Sequence, residues 1–343
     1  MKIKRIIVIV FTVLFMFMLL ISPDSSVKGA VKGLVMCSNI VIPSLFPFGV
    51  CVLFLYNTGL FSIIESKITA FSRFLFGING SCFCIFIMSL LGGYPIGAIL
   101  IENQYSKNQI SKRNAENLLS YCVNSGPAFI IIGIGNGIFF NLKAGLLLFI
   151  ANFLASIFLA LILKKYSVYE EFSQKASFER NLTDTFVEST AEVSKSIISV
   201  CSFVVLFSAV IGMISSLPMS YSIKKAVSIF LEITNGSVIA GQNMYLLSFL
   251  LGFSGFCVHF QILSVLRTLK PSYIKFFLGR VLHGVLCLIF SYILFKIFPV
   301  KIETLSLNAF SGKLSSVSLP FSAALFFLCA TFLLSIKNGG RKI

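Results

Sequence analysis

The chain has 343 residues, 57% of them apolar and 12% charged, with a mean hydropathy of +0.96. Soluble domains carry roughly 45–50% apolar residues, so this composition excludes a water-soluble enzyme or binding module and implies a polytopic membrane protein. The 28 Lys+Arg against 12 Asp+Glu give a formal charge of +16. These cations flank apolar runs, where they anchor helices and set topology, and no polar segment is long enough to gather them into a nucleic-acid surface.

In chain order, Lys2, Lys4 and Arg5 precede a sixteen-residue apolar run, Ile6–Ile21, interrupted only by Thr12. No small-x-small cleavage site follows directly, so 1–23 reads as an uncleaved transmembrane helix with a cytoplasmic N-terminus. Residues 24–40 carry Lys28 and Lys32 among apolar positions and suit a helix lying in the interface. Val41–Tyr56 is a span with Pro43 and Pro47, and 61–80 is amphipathic. The apolar run 82–101 is broken at Gly92, Gly93 and Pro95. A polar piece, 102–117, leads to Leu118–Phe140, which is interrupted at Asn124, Ser125, Gly126 and Pro127. Gly145–Leu163 is an unbroken span of nineteen residues. Residues 164–195 then hold eleven charges in 32 positions, among them six of the twelve acids. The segment 165–195 is expected to be a cytoplasmic linker running into an interfacial helix, and 301–343 a loop with a C-terminal transmembrane helix.

The second half replays the first. Asn39–Leu55 resembles Ser196–Ile211 (196 − 39 = 157), and Gly80 of Ile78-Asn79-Gly80 pairs with Gly236 of Thr234-Asn235-Gly236 (236 − 80 = 156). Leu90-Leu91-Gly92 pairs with Leu250-Leu251-Gly252 (252 − 92 = 160), and Gly126 with Gly284 (284 − 126 = 158). Two repeats follow, 24–164 and 196–300. With 82–101 as a re-entrant hairpin, the first crosses the bilayer three times, and an odd number inverts the second. Broken segments at matching places in inverted repeats are how many secondary transporters form a midplane site. The expected fold is all-α, with an inverted repeat, two re-entrant hairpins and about seven full spans.

The segments GGYPIGA (92–98), SKRNAENLLSYCVNSGPAF (111–129), LEITNG (231–236) and GFSGFCVHFQ (252–261) resemble those of YlbJ-type sporulation integral membrane proteins. These belong to the wider group carrying the nucleoside-transporter and ferrous-iron-transporter gate domain. The resemblance covers about residues 5–336. It implies a sporulation protein of the bacterial cell membrane or outer forespore membrane that moves a small organic anion, dipicolinate, from mother cell to forespore. A nucleoside or ion transporter of the same fold, or a structural protein of the spore envelope, is the alternative. Relatives carry a G-F-G-G followed by Ser-Val-His where this chain has Ser254 and Phe256-Cys257.

A flat aromatic dicarboxylate calls for positive potential and π-faces. Half-helices beginning after Gly93 and Gly255 would aim backbone N–H groups into the membrane. Arg280 and His283 stand at i and i+3 on one face of an apolar span, and an ionisable residue at such depth costs about 2.5–3.5 kcal/mol on insertion scales. The substrate-binding set is therefore Gly92, Gly93, Tyr94, Pro95, Asn124, Ser125, Asn235, Ser254, Gly255, His259, Gln261, Arg280 and His283. Each has a plainer reading: Arg280 snorkels, the histidines are satisfied in the core, and Asn124-Ser125 and Thr234-Asn235 cap helix ends. Glu102 and Glu116 on the polar piece read as solvated.

Gly252-Phe253-Ser254-Gly255 with His283 resembles the serine and histidine of rhomboid proteases, but the first-half counterpart has glycine and proline and no nucleophile. The chain reads as a non-enzyme, with no catalytic residues. None of the nine cysteines forms a C-x-x-C pair, so no metal or redox site is expected, and P-loop, HExxH and G-x-G-x-x-G patterns are absent. No cofactor is implied. The partners are the lipid bilayer and an anionic small molecule, with no nucleic acid; association as a homo-oligomer stays open.

Overall fold

A computed structural model describes residues 2–170, 181–240 and 243–300, so the expected C-terminal helix in 301–343 lies outside the described residues. All regular structure described is helical. Its elements are α1 (Lys2–Ile21), α2 (Pro23–Met36), α3 (Ile42–Asn57), α4 (Leu60–Phe76), α5 (Gly80–Gly92), α6 (Tyr94–Ser106) and α7 (Lys112–Tyr121). There follow α8 (Leu142–Leu163), α9 (Leu182–Ser216), α10 (Tyr221–Leu231), α11 (Ile233–Ala240), α12 (Met244–Phe253), α13 (Gly255–Val265) and α14 (Tyr273–Ile297). Among the described residues, five segments are long and apolar enough to cross a membrane: Pro23–Asn57, Leu142–Tyr166, Leu182–Ser216, Met244–Val265 and Tyr273–Ile297. A sixth would combine Lys67–Phe76 with Gly80–Gly92, which bend by 81°. The sequence reading of about seven spans counted Leu118–Phe140, which unwinds in the middle.

Two helices differ from expectation. Residues 24–40 do not lie apart in an interface. α2 passes through a π turn at Cys37–Val41 into α3 as one 35-residue helix. A stripe of small residues is the reason: a Cβ on Gly33 would come within 2.9 Å of the Ser208 side chain, and one on Gly212 within 3.0 Å of Gly29 Cα. Close backbone approach of this kind holds transmembrane helices together. Likewise 182–195 is no separate interfacial helix but the first turns of α9, which Asn181 caps by accepting from Thr183 N at 3.0 Å.

Two helical hairpins fold toward the middle of the molecule. α5 and α6 reverse at Gly93 (φ 82°), a left-handed conformation that suits glycine. They run antiparallel, since Gln104 Nε2 near the end of α6 donates to Ser81 Oγ near the start of α5 at 3.2 Å. Each arm has 13 residues, about 20 Å at 1.5 Å per residue, which is short of the ~30 Å hydrocarbon core. α10 and α11 reverse at Glu232, where a Cβ on Gly236 would meet Ile229 O at 2.7 Å.

Each hairpin is followed by an interrupted helix. α7 ends at Tyr121, residues 122–127 are unwound, and a π-helical stretch resumes at Ala128–Asn136. α12 and α13 are separated by Ser254 (φ 79°) and Gly255 (φ 70°). Met244–Val265 is largely buried, unlike Leu182–Ser216, which places the second interrupted helix inside the molecule.

The halves thus share an order of long helix, hairpin, interrupted helix and closing helix: α2–α3, α5–α6, α7 with 128–136, α8; then α9, α10–α11, α12–α13, α14. This alignment differs from the constant offset read in the sequence. Gly92 sits at a hairpin tip, whereas Gly252 sits beside the break of an interrupted helix. The equivalent tips are Gly93 and Glu232 (232 − 93 = 139), and the equivalent breaks are Ser125-Gly126 and Ser254-Gly255 (254 − 125 = 129). Leu118-Leu119-Ser120-Tyr121 and Leu246-Leu247-Ser248-Phe249 align at 248 − 120 = 128. The start-to-start offset of the long helices, 182 − 23 = 159, shrinks because α4 has no counterpart between α9 and α10.

Candidate functional site

The hairpin tips and the breaks converge. A Cβ on Gly93 would lie 3.3 Å from Gly126 N, and one on Gly255 would lie 3.3 Å from Ile233 N. Each tip therefore rests on the Ser-Gly break of its own half, packed so closely that no side chain fits between them.

Polar groups join the two breaks. The hydroxyl of Tyr94, the first residue of α6, makes a close hydrogen bond with Ser125 Oγ and donates to Leu251 O at 3.2 Å. Arg280 on α14 reaches between the halves. Its guanidinium donates to Ser120 O at 3.2 Å, to Ser254 Oγ at 2.7 Å and, closely, to Gly252 O. Behind it His283 Nε2 pairs with Ser156 Oγ of α8 at 3.1 Å, and Ser156 donates to Asn124 Oδ1 at 2.9 Å. The amide of Asn124 in turn donates to Tyr121 O at 2.6 Å, satisfying a carbonyl at the end of α7.

The charge balance of this cluster is unusual. Arg280 is 0% exposed, and Ser125, Ser254 and His283 are buried with it. All three acceptors of the guanidinium are neutral, and its Nε has no partner. His283 Nδ1 and Asn152 Nδ2 are also unpartnered. A buried cation is normally paired with an anion; here the half-helix beginning at Gly255 and the cation face the same point with no carboxylate bound to either. The arrangement can stabilise a bound anion, and its residues are buried.

Of the residues singled out in the sequence, Gly93, Tyr94, Asn124, Ser125, Ser254, Gly255, Arg280 and His283 meet here. Gly92 packs against Ile96, and Pro95 sets the first turn of α6. The other three bond elsewhere. Asn235 donates to Ser208 Oγ and to Glu232, and Gln261 donates to Cys257 Sγ at 3.1 Å. His259 bonds Phe253 O at 3.0 Å within a ring of Phe253, Phe256, Tyr273, Phe276 and Phe277.

The sequence reading missed Ser156 and Asn152, which stand at i and i+4 on one face of an otherwise apolar helix; that pairing was their signal. It also missed Glu232, buried at the tip of the second hairpin. Glu102 and Glu116 are not merely solvated. Glu102 accepts from Thr268 N and Leu269 N at 2.5 and 3.1 Å, and Glu116 from Ser272 N and Lys275 Nζ, both at 3.0 Å. Burial pushes the Glu116 carboxyl up, but the Lys275 ammonium and the Ser272 N–H hold it below the usual carboxylate value. Both carboxylates tie the first half to the loop between α13 and α14. Beside them a cavity of about 530 Å³ opens between α6, α9 and α13, at the far ends of the two helices that begin at the site.

The chain is 27% identical over 320 residues to the sporulation integral membrane protein YlbJ of Bacillus subtilis (strain 168), an alignment covering 80% of this chain and 78% of the relative. This chain resembles YlbJ. No protein-family profile and no solved structure matches it. The likeness to YlbJ and the five apolar spans make it an integral membrane protein.

Proposed function

We propose that the protein is a secondary transporter of a small organic dianion, built as an inverted repeat with two re-entrant hairpins. The observation that carries this reading is Arg280, wholly buried among neutral acceptors where the two breaks meet. A permanent cation at that depth is expensive unless function requires it. The likeness to a sporulation integral membrane protein supports a role in sporulation, and dipicolinate, carried from mother cell to forespore, is the substrate proposed here.

Sidedness supports the inversion. The ends of α3, α6 and α8 and the start of α9 gather on one face, tied by Asn57 Nδ2 to Ser189 Oγ and Arg113 Nε to Tyr166 O. The end of α9 and the start of α2 gather on the other, with Ser216 Oγ donating to Ser22 Oγ. Hairpin α5–α6 opens toward the first face and α10–α11 toward the second. Lys107, Lys112, Arg113, Lys164, Lys165, Arg267 and Lys270 crowd the first face, as a cytoplasmic side requires.

A rhomboid-type enzyme is disfavoured by geometry. Ser254 Oγ accepts from Arg280, and His283 Nε2 is engaged by Ser156, so no base stands on that hydroxyl. Purified protein in proteoliposomes is expected to carry labelled dipicolinate faster than uridine. Uridine carried faster would favour the nucleoside reading, and no flux of either would leave a structural role in the envelope.

A further inference from the structure

Resting on the transport reading, we infer that Glu232 is a proton-binding site that couples protonation to the second hairpin. Glu232 is 0% exposed at the turn between α10 and α11. All of its hydrogen bonds are donated to it: Thr234 N at 2.8 Å, Asn235 N at 2.7 Å and Asn235 Nδ2 at 2.9 Å. The charged carboxylate thus caps the first turn of α11 and faces its positive end. A protonated carboxyl cannot keep the same set. One oxygen becomes a hydroxyl, a donor and a weaker acceptor, so the three N–H groups lose the charged acceptor they now share.

Proton uptake therefore weakens the closed turn. Because Ile233 and Leu231 rest against the Gly255 break, releasing the turn uncovers the point where Arg280 and Ser254 meet. The groups facing Glu232 from neighbouring elements leave it free to titrate. Lys32 of α2 acts on it electrostatically, Cys37 lies toward it from the π turn, and Cys257 lies toward it from α13. Asn235 is shared with Ser208 of α9 at 2.9 Å. Among the described residues no second carboxylate bonds it, and Lys32 is the one basic side chain among these groups. A buried carboxylate in a membrane protein that can exchange a proton is a recognised coupling element.

The step moves one proton onto a Glu232 oxygen from water on the face where α10 and α11 open, and off again when the turn re-forms. A dianion moving with protons needs such a group. Two measurements separate this from a plain helix cap. In proteoliposomes, an acid-outside gradient is expected to raise dipicolinate accumulation by wild type. Glu232→Gln, which imitates the neutral acid, should lose that stimulation at least about tenfold while retaining substrate exchange without a gradient. Independently of any flux, Cys257, buried beside Glu232, should react faster with a maleimide in Glu232→Gln than in wild type at one pH, read by mass spectrometry at that residue. Gradient-driven accumulation kept in Glu232→Gln would overturn the proposal, as would unchanged Cys257 reactivity. If wild type carries no dipicolinate at all, the substrate reading fails, and the proton-binding site then stands only if wild-type Cys257 reactivity rises as pH falls and that of Glu232→Gln does not.

Discussion

Arg280 donates to three neutral acceptors drawn from both halves of the chain. Hydrogen bonds to charged groups contribute about 1.5–3 kcal/mol, so Arg280→Gln is expected to weaken dipicolinate binding roughly 10- to 150-fold and leave a neutral analogue of the same shape little changed. Equal losses for both, measured by calorimetry in detergent, would make Arg280 a packing residue. Ser254→Ala removes one of its three acceptors and should cost less, with the preference for charge retained. Arg280 and His283 were legible because an ionisable pair in an apolar span stands out without any structure. Glu232 was not, since a lone acid between two apolar stretches reads as a loop until the hairpin encloses it. Asn235, His259 and Gln261 had the right chemistry near a break, but one-dimensional nearness says nothing of which way a side chain turns around a helix.

Elements explain why glycine recurs at the tips. A Cβ on Gly97 would collide with Cys122 O and come within 2.9 Å of Ser89 Cβ, so α6 lies on both α5 and the unwound stretch. Overpacking typically costs about 1–3 kcal/mol, and Gly97→Val should lower thermal stability in detergent by an amount of that order; an unchanged midpoint would mean that the hairpin is loosely held. The staple at Glu116 makes a pH prediction. Its folded pKa lies below the ordinary value, so the contribution is complete above about pH 4.3, where an unfolded glutamate ionises. It disappears as pH falls through the lowered value. At neutral pH Glu116→Gln should speed hydrogen exchange at the Ser272 amide, whose acceptor it replaces; equal exchange would show the loop to be held by Glu102 alone. The glycine breaks were visible in the sequence. The 82–101 segment was expected to fold back, but nothing in composition distinguished its tip from the break near Gly252, because both are glycines inside apolar runs.

At the scale of the whole molecule, the two halves carry the same parts, and the difference between them is α4. Its 17 residues shift the register between the long helices and the hairpins, so the 156–160 offsets pair residues on elements that differ in their place in the order. The Leu-Leu-Ser and Ser-Gly pairs at 128–129 follow the element order instead, and their shortness hid them among many apolar matches. Under the proposed inversion the bases of the hairpins are expected on opposite faces: Asn108 follows the end of α6, and Ser220 precedes α10, both exposed. Asn108→Cys and Ser220→Cys, each made in a background lacking the native thiols, should react with a membrane-impermeant maleimide from opposite sides of sealed vesicles. Asn108→Cys should react from the side rich in Lys and Arg, as the charge rule demands. Reaction of both from one side would mean that the hairpins enter together. In that case alternating exposure of Arg280 between the two faces would lose its structural basis, and the buried cation would have to be explained by packing alone.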